Sequence, residues 1–236
     1  MRKRRLYLVS FFVFLSIVLF TGKQAFCQPI AIEWEHNYGG TNYDQAYGAI
    51  ATKDSCYLSL NLTESFDEDV SGFNGIGDFW LTKINVSGDL IWEKNYGGTN
   101  YDFPVSITHT FDRGFILGGY TDSNDIDISI NHGSYDCWIA KVDSISNLEW
   151  ELSIGGSSAD ALISIIPTKD SNFVFTGWSY SLDEDISMHF GSTDYSDLII
   201  GKIDTLGNLL WIKVYGWLDD DEGADIIETA TGDLLV

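Results

Sequence analysis

Trp34, Trp92, Trp150 and Trp211 stand 58, 58 and 61 residues apart, and other landmarks keep the same step. Gly39-Gly40, Gly97-Gly98 and Gly155-Gly156 follow it, with Gly216-Trp217 as the altered fourth copy. So do Asp44, Asp102, Asp160 and Asp221; Thr52, Thr110, Thr168 and Thr229; Asp78, Asp136 and Asp197; and Lys83, Lys141 and Lys202. Self-similarity at this period means that one supersecondary unit recurs and buries its faces against its own copies. The repeats run over residues 33–90, 91–148, 149–209 and 210–236.

Each unit offers four short strands. The first, a, is typified by residues 46–53 and the second, b, by 57–63. Asp54-Ser55-Cys56, Asp112-Arg113-Gly114 and Asp170-Ser171-Asn172 have the composition of tight hairpin turns between them. The third, c (79–85, 137–143 and 198–204), is apolar almost throughout apart from its lysine, as a strand covered on both faces should be. The fourth, d (such as 90–96), carries the tryptophan, and Ser87-Gly88-Asp89 marks a hairpin before it. Four antiparallel strands per unit, repeated without helices, predict an all-β fold: a β-propeller whose blades are the units. A β-solenoid, the rival, would have shorter coils. The repeat begins in phase d, at residues 31–38, and stops inside strand b of the fourth unit. About three and a half blades are therefore expected, and the sequence reads as a piece of a longer protein.

Trp92-Glu93-Lys94-Asn95-Tyr96-Gly97-Gly98-Thr99-Asn100-Tyr101-Asp102, Gly114-Phe115-Ile116-Leu117-Gly118-Gly119-Tyr120-Thr121 and Asp136-Cys137-Trp138-Ile139-Ala140-Lys141-Val142-Asp143 resemble one family of blades. It is the W-x-K-x-Y-G-G-S-x-x-D / D-x-W-L-x-K-L-D repeat of secreted β-propeller proteins of Bacteroidota-type bacteria. The resemblance implies export, type IX secretion through a C-terminal sorting domain, and, for most members, no demonstrated activity. The third unit departs from the pattern with Ile199 for the strand-c Trp and Ile154 for the Tyr before Gly-Gly. Asp143-Ser144-Ile145 and Asp204-Thr205-Leu206 also resemble the O-glycosylation triplet of such bacteria.

Ahead of the repeats, residues 1–27 form a different kind of segment. Arg2 to Arg5 are basic, residues 6–20 are apolar but for two serines, and a short polar stretch ends at Cys27. That order is a signal peptide cleaved before Gln28, directing the chain through the Sec pathway to the cell surface or beyond. Lipidation at Cys27 is the competing reading, with Phe26 where a small residue is wanted. After cleavage, residues 28–236 form a partial propeller with no membrane-spanning segment. They hold 8 basic and 35 acidic residues, a charge of −27. That sign disfavours nucleic acid. Cys56 and Cys137 fall at unrelated repeat positions, so a disulfide between them is allowed but not required.

The longer loops, d-to-a and b-to-c, emerge on one rim and carry much of the acidity, which makes that rim the place for a protein or glycan partner. The b-to-c loops share Asp-x-Asp-x-Ser: Asp67/Asp69/Ser71, Asp125/Asp127/Ser129 and Asp183/Asp185/Ser187. These oxygens could ligate a structural Ca²⁺; a solvated turn with Asx-type hydrogen bonds is the competing account. No other cofactor is indicated. Lys83, Lys141 and Lys202 interrupt apolar strands and need anionic partners, for which the Asp44/Asp102/Asp160 and Asp78/Asp136/Asp197 sets are the candidates. His36, His109, His132 and His189 share no metal spacing, and no nucleophilic motif is present, so no catalytic residue is assigned. Trp178 and Trp217, outside the strand-d register, are the tryptophans expected at the surface.

Overall fold

A computed structural model describes residues 32–236; the leader and its cleavage site lie outside the described residues. Twelve of the described strands form three four-stranded antiparallel sheets, each strand pairing with its successor. The first sheet takes β1 (Asp44–Ala51), β2 (Tyr57–Thr63), β3 (Asp78–Ile84) and β4 (Leu90–Tyr96). The second takes β5 (Asp102–His109), β6 (Phe115–Thr121), β7 (Asp136–Val142) and β8 (Leu148–Ile154). The third takes β9 (Asp160–Pro167), β10 (Phe173–Ser179), β11 (Asp197–Ile203) and β12 (Leu209–Tyr215). A two-stranded ladder, β13 (Ile227–Glu228) with β14 (Leu234–Leu235), begins a fourth. The described chain is thus all-β, an incomplete propeller-like arrangement in which each full sheet takes strands a, b and c of one repeat and strand d at its junction with the next.

Alternation along the middle strands explains why they are apolar on both faces. Phe115 and Leu117 of β6, with Trp138, Ala140 and Val142 of β7, face a core shared with Leu58, Leu60, Phe79 and Leu81 of the first sheet. The intervening Ile116, Cys137 and Ile139 face a second core with Leu162, Ile165, Phe173 and Phe175 of the third. A period of two on a strand with neighbours on each side leaves no face for polar residues. The first strand of each sheet lies across the sheet before it: β5 against β1, β2 and β3, and β9 against β5, β6 and β7.

Two irregularities recur at fixed repeat positions. Tyr47, Val105 and Ile163 each bulge out of register in the first strand, which sharpens its twist where it crosses the preceding sheet. Ile91, Glu149 and Leu210 bulge in the fourth strand, next to the tryptophan. Each repeated Trp stands directly across from the repeated lysine, in the pairs Lys83–Trp92, Lys141–Trp150 and Lys202–Trp211. Trp150 also seals the junction between sheets. It packs on Gly207 of the next c–d hairpin, whose φ of +83° suits a residue without a side chain, and its Nε1 donates to the Thr205 carbonyl at 3.1 Å.

Residues 32–43 hold no strand, whereas the sequence places a d strand at 31–38. A d strand pairs with a c strand, and β3, β7 and β11 already pair with β4, β8 and β12. Trp34 instead rests against Gly88, and the Tyr38 hydroxyl donates to the Gly88 carbonyl. Strands a and c also start slightly earlier than expected, at the repeated aspartates themselves.

Candidate functional site

The acidic rim is a set of hydrogen-bonded clips. Asp102, the first residue of β5, is fully buried. Its carboxylate accepts from the Thr121 hydroxyl, from Ser123 Oγ at 3.0 Å and from the Gly98 amide at 2.6 Å. Asp160 takes the same donors from Ser179, Ser181 (2.8 Å) and Gly156 (2.8 Å). Asp44 takes them from Thr63 (2.5 Å), Ser65 (2.9 Å) and Gly40 (2.8 Å). The Gly-Gly to Asp spacing is therefore an amide donor folding back on its own acceptor, closed by two hydroxyls from the end of strand b.

The Asp-x-Asp-x-Ser residues complete this arrangement. Asp125 accepts from the Thr99 amide at 2.8 Å and Oγ1 at 2.9 Å. Asp67 holds Thr41 (2.9 and 2.8 Å) and Asp183 holds Ser157 (2.8 and 2.7 Å) in the same way. Asp69, Asp127 and Asp185 accept from the amides of Gly39, Gly97 and Gly155 at 3.2–3.4 Å.

The three serines of the motif do not share one setting. Ser71 donates to Glu93 at 2.5 Å, and the Ser129 amide to Glu151 at 3.2 Å. Ser187 is exposed and departs from both, because Ile212 stands in the third sheet where the glutamate stands in the other two. Among the described residues, no group of three or more His, Cys, Asp or Glu is arranged to hold a metal ion. Amide and hydroxyl hydrogens occupy the positions toward which Asp67, Asp125 and Asp183 turn their oxygens.

Each strand-c lysine has a carboxylate partner, but neither expected set supplies it. Lys83 pairs with Asp54, Lys141 with Asp112 and Lys202 with Asp170, at 2.6, 2.7 and 2.6 Å. Asp44, Asp102 and Asp160 lie with Asp78, Asp136 and Asp197 at the far end of the strands, beyond the reach of an ammonium near the a–b turn. Lys141, buried to 5% exposure, also meets Glu149 of the strand-d bulge. The Lys83 hydrogen bond holds Asp54 down at about 2. Burial opposes the same effect at Asp112, but Lys141 and Thr110 hold it at about 2.

Buried without a lysine, the strand-opening carboxylates are pushed the other way. Burial raises Asp102 and Asp160 to about 6 each, against their hydroxyl and amide donors. It raises Asp78 to about 7, against the Asn74 amide at 2.8 Å and with repulsion from Asp102 and Asp127. Asp78 Oδ1 and Asp136 Oδ1 have no hydrogen-bond partner among the described residues. Asp78 Oδ1 shares the surface of Gly97 with Asp102 Oδ2, as Asp136 Oδ1 shares that of Gly155 with Asp160 Oδ2. A Cβ on Gly97 or Gly155 would sit under 3.0 Å from both carboxylates.

Two histidines join these aspartates unannounced by any motif. His132 Nδ1 lies 2.6 Å from Asp136 Oδ2, and His189 Nδ1 lies 3.4 Å from Asp197 Oδ2. They stand four and eight residues before their partners, so no constant spacing marks them. Cys56 and Cys137 are both free thiols, the second buried. Trp217 is 76% exposed and Trp178 half-buried. Phe66, Ile126 and Leu182 also turn outward from the b-to-c loops. Ile126 does so at φ +59°, a costly conformation for a β-branched residue.

No family model matches the chain, and no curated protein matches it. Among solved structures it is similar to two single-site mutants of the apocarotenoid oxygenase of Synechocystis, at 13% and 12% identity with TM-scores of 0.38 and 0.37. The alignments cover 73% of this chain and 38% of theirs, so it spans under two fifths of the structures it matches. A likeness this distant says nothing about function.

Proposed function

We propose that this chain is an exported β-propeller of the secreted bacterial repeat family resembled by its sequence, carried to the cell surface or medium by the Sec and type IX routes. It serves there as a non-catalytic binding module, with the rim of b-to-c and d-to-a loops as the surface that meets a protein or glycan. The observation that supports this is how the rim divides its side chains. Repeated acids are turned into the loops as clips, while Phe66, Ile126, Leu182 and Trp217 point outward between them. Large apolar groups on a rigid, polar-edged surface are the usual anchors of recognition. The leader supports export, and the spread of equivalent polar residues over three sheets favours a scaffold over a single reacting centre.

The test is a screen of the full chain on glycan and surface-protein arrays, followed by mass analysis of each bound ligand. Binding that the Phe66→Ser/Leu182→Ser/Trp217→Ser variant loses about tenfold or more, with the ligand unchanged, supports the reading. A cleaved ligand, or equal binding by the variant, overturns it. The second reading is a carbohydrate-active protein that hydrolyses glycans with carboxylates of the acidic rim; glycan cleavage in that screen would establish it.

A further inference from the structure

Function in a repeat protein is sought where the repeat breaks, and one cavity collects such breaks. It lies between the first and second sheets at the rim of the a–b turns, opposite the acidic loops, with a volume of about 560 Å³. Lys53, Lys83, His109 and Arg113 line it together with Trp92 and Phe115. Where the first sheet has Lys53 the second has Phe111, and where the second has Arg113 the first and third have Ser55 and Ser171. His109 answers to Ala51 and Pro167. Of the four basic side chains, Lys83 belongs to the repeated set and Lys53 returns in the third unit as Lys169, so Arg113 and His109 are the two that occur once.

The charges converge against the grain of the molecule. Eight basic residues follow the leader, and three of them line this one cavity. Asp54, also in its wall, is taken by Lys83. Lys53 and Arg113 have no carboxylate within 4.0 Å among the described residues, despite the chain's excess of acids. Arg113 is held at φ +76°, a strained setting for a long side chain that fixes its Cα at the tip of the turn. His109 is pinned by the Ala51 carbonyl at 3.0 Å and packs on Phe115, which firms the wall behind the cations.

We propose that this cavity binds an anionic saccharide, one bearing a carboxylate or sulfate. Arg113 presents a planar fork matched to two oxygens of such a group, and Lys53 adds a point charge, while Lys83 keeps the wall's Asp54 neutralised. Trp92 and Phe115 supply an apolar wall for the sugar ring. The volume falls within the range of small-molecule sites. A local reversal of sign in an acidic protein also selects: elsewhere the surface repels the same ligand. This site does not rest on the reading of the acidic rim, which lies at the other end of the strands.

Calorimetric titration of the full chain with tri-galacturonate, neutral galactotriose and inorganic sulfate tests it. Tri-galacturonate is expected to bind about tenfold or more tighter than the neutral sugar and than sulfate. Arg113→Ser, which installs the residue of the other two units at their own positive φ, and Lys53→Gln each lose about tenfold. Lys169→Gln removes the same charge at the matching position of the third unit and stays within about twofold. Equal affinity for charged and neutral sugars, sulfate bound as tightly as the trisaccharide, an unaffected Arg113→Ser protein with a native melting curve, or an equal loss in Lys169→Gln would each overturn the site.

Discussion

Replacing Asp78 by Asn removes the charge that the fold opposes most while keeping the side chain's shape. Asp78 is fully buried, one oxygen accepts the Asn74 amide, and the other faces Asp102 across Gly97. Its ordinary value of 3.8 rises to about 7 in the folded chain. A carboxyl raised on folding binds more protons folded than unfolded, so its contribution is fully present below 3.8 and is lost as pH rises through about 7. At about 1.4 kcal/mol per pH unit, taken over the part of that window between about pH 5 and pH 8, the loss is on the order of 2–3 kcal/mol. The Asp78→Asn chain keeps the acceptor for the Asn74 amide and gains an amide that can donate to Asp102, so it should lose that part of the slope. Urea unfolding at the two pH values measures it. The natural chain is expected to weaken from pH 5 to pH 8, and Asp78→Asn to weaken by on the order of 2–3 kcal/mol less. At the acid end Asp54 and Asp112, held low by their lysines, have the opposite sign, and stability falls as pH drops from about 4 toward 2. An identical alkaline slope in the natural chain and Asp78→Asn would refute the assignment of burial cost to this carboxylate.

The remaining predictions concern the same framework. Asp112→Ala leaves the buried Lys141 ammonium with Glu149 alone and should cost about 1–2 kcal/mol, whereas Lys141→Met, which leaves two exposed acids, should cost under about 1 kcal/mol by chemical unfolding. Gly155→Ala places a Cβ against the Asp136 and Asp160 carboxylates and should cost about 2–3 kcal/mol; a value near zero would mean that the two carboxylates yield freely. Calcium in excess, then chelator, should move the melting midpoint by under about 1 °C, because the Asp67, Asp125 and Asp183 oxygens already accept protein donors. A larger calcium-dependent rise would establish the Asp-x-Asp-x-Ser loops as ion sites.

The architecture was legible because a repeat writes the same constraint several times. Strand c announces two-sided burial through its apolar run, and the turns through Asp-Ser and Ser-Gly pairs. The lysine partners were not legible. Spacing places Lys141 and Asp112 on one grid, but only the hairpin geometry shows that they meet at the a–b turn while Asp102 and Asp136 lie at the other end of the sheet. The clips were visible only as letters: Gly98, Asp102, Thr121 and Ser123 recur together, yet which oxygen takes which hydrogen depends on the loop crossing. Ser71, Ser129 and Ser187 look alike in the motif, but their surroundings differ through a strand-d residue that is Glu in two sheets and Ile in the third. His132 and His189 share in the sequence only their place in comparable b-to-c loops, since loops of unequal length carry them to equivalent carboxylates. The cationic cavity escaped for a related reason: Arg113 and His109, which set it apart, each occur in one unit alone, so a search for what repeats passes over them.

In the proposed division of labour, repeated acids build the scaffold and departures from the repeat carry recognition. Unfolding midpoint and tri-galacturonate affinity, measured side by side on Asp102→Asn and Arg113→Ser, test that division most directly. Asp102→Asn should alter the midpoint and leave affinity within about twofold, and Arg113→Ser should keep the midpoint and lose about tenfold in affinity. An Asp102→Asn chain that melts normally but no longer binds, or an Arg113→Ser chain that binds as before, would contradict it.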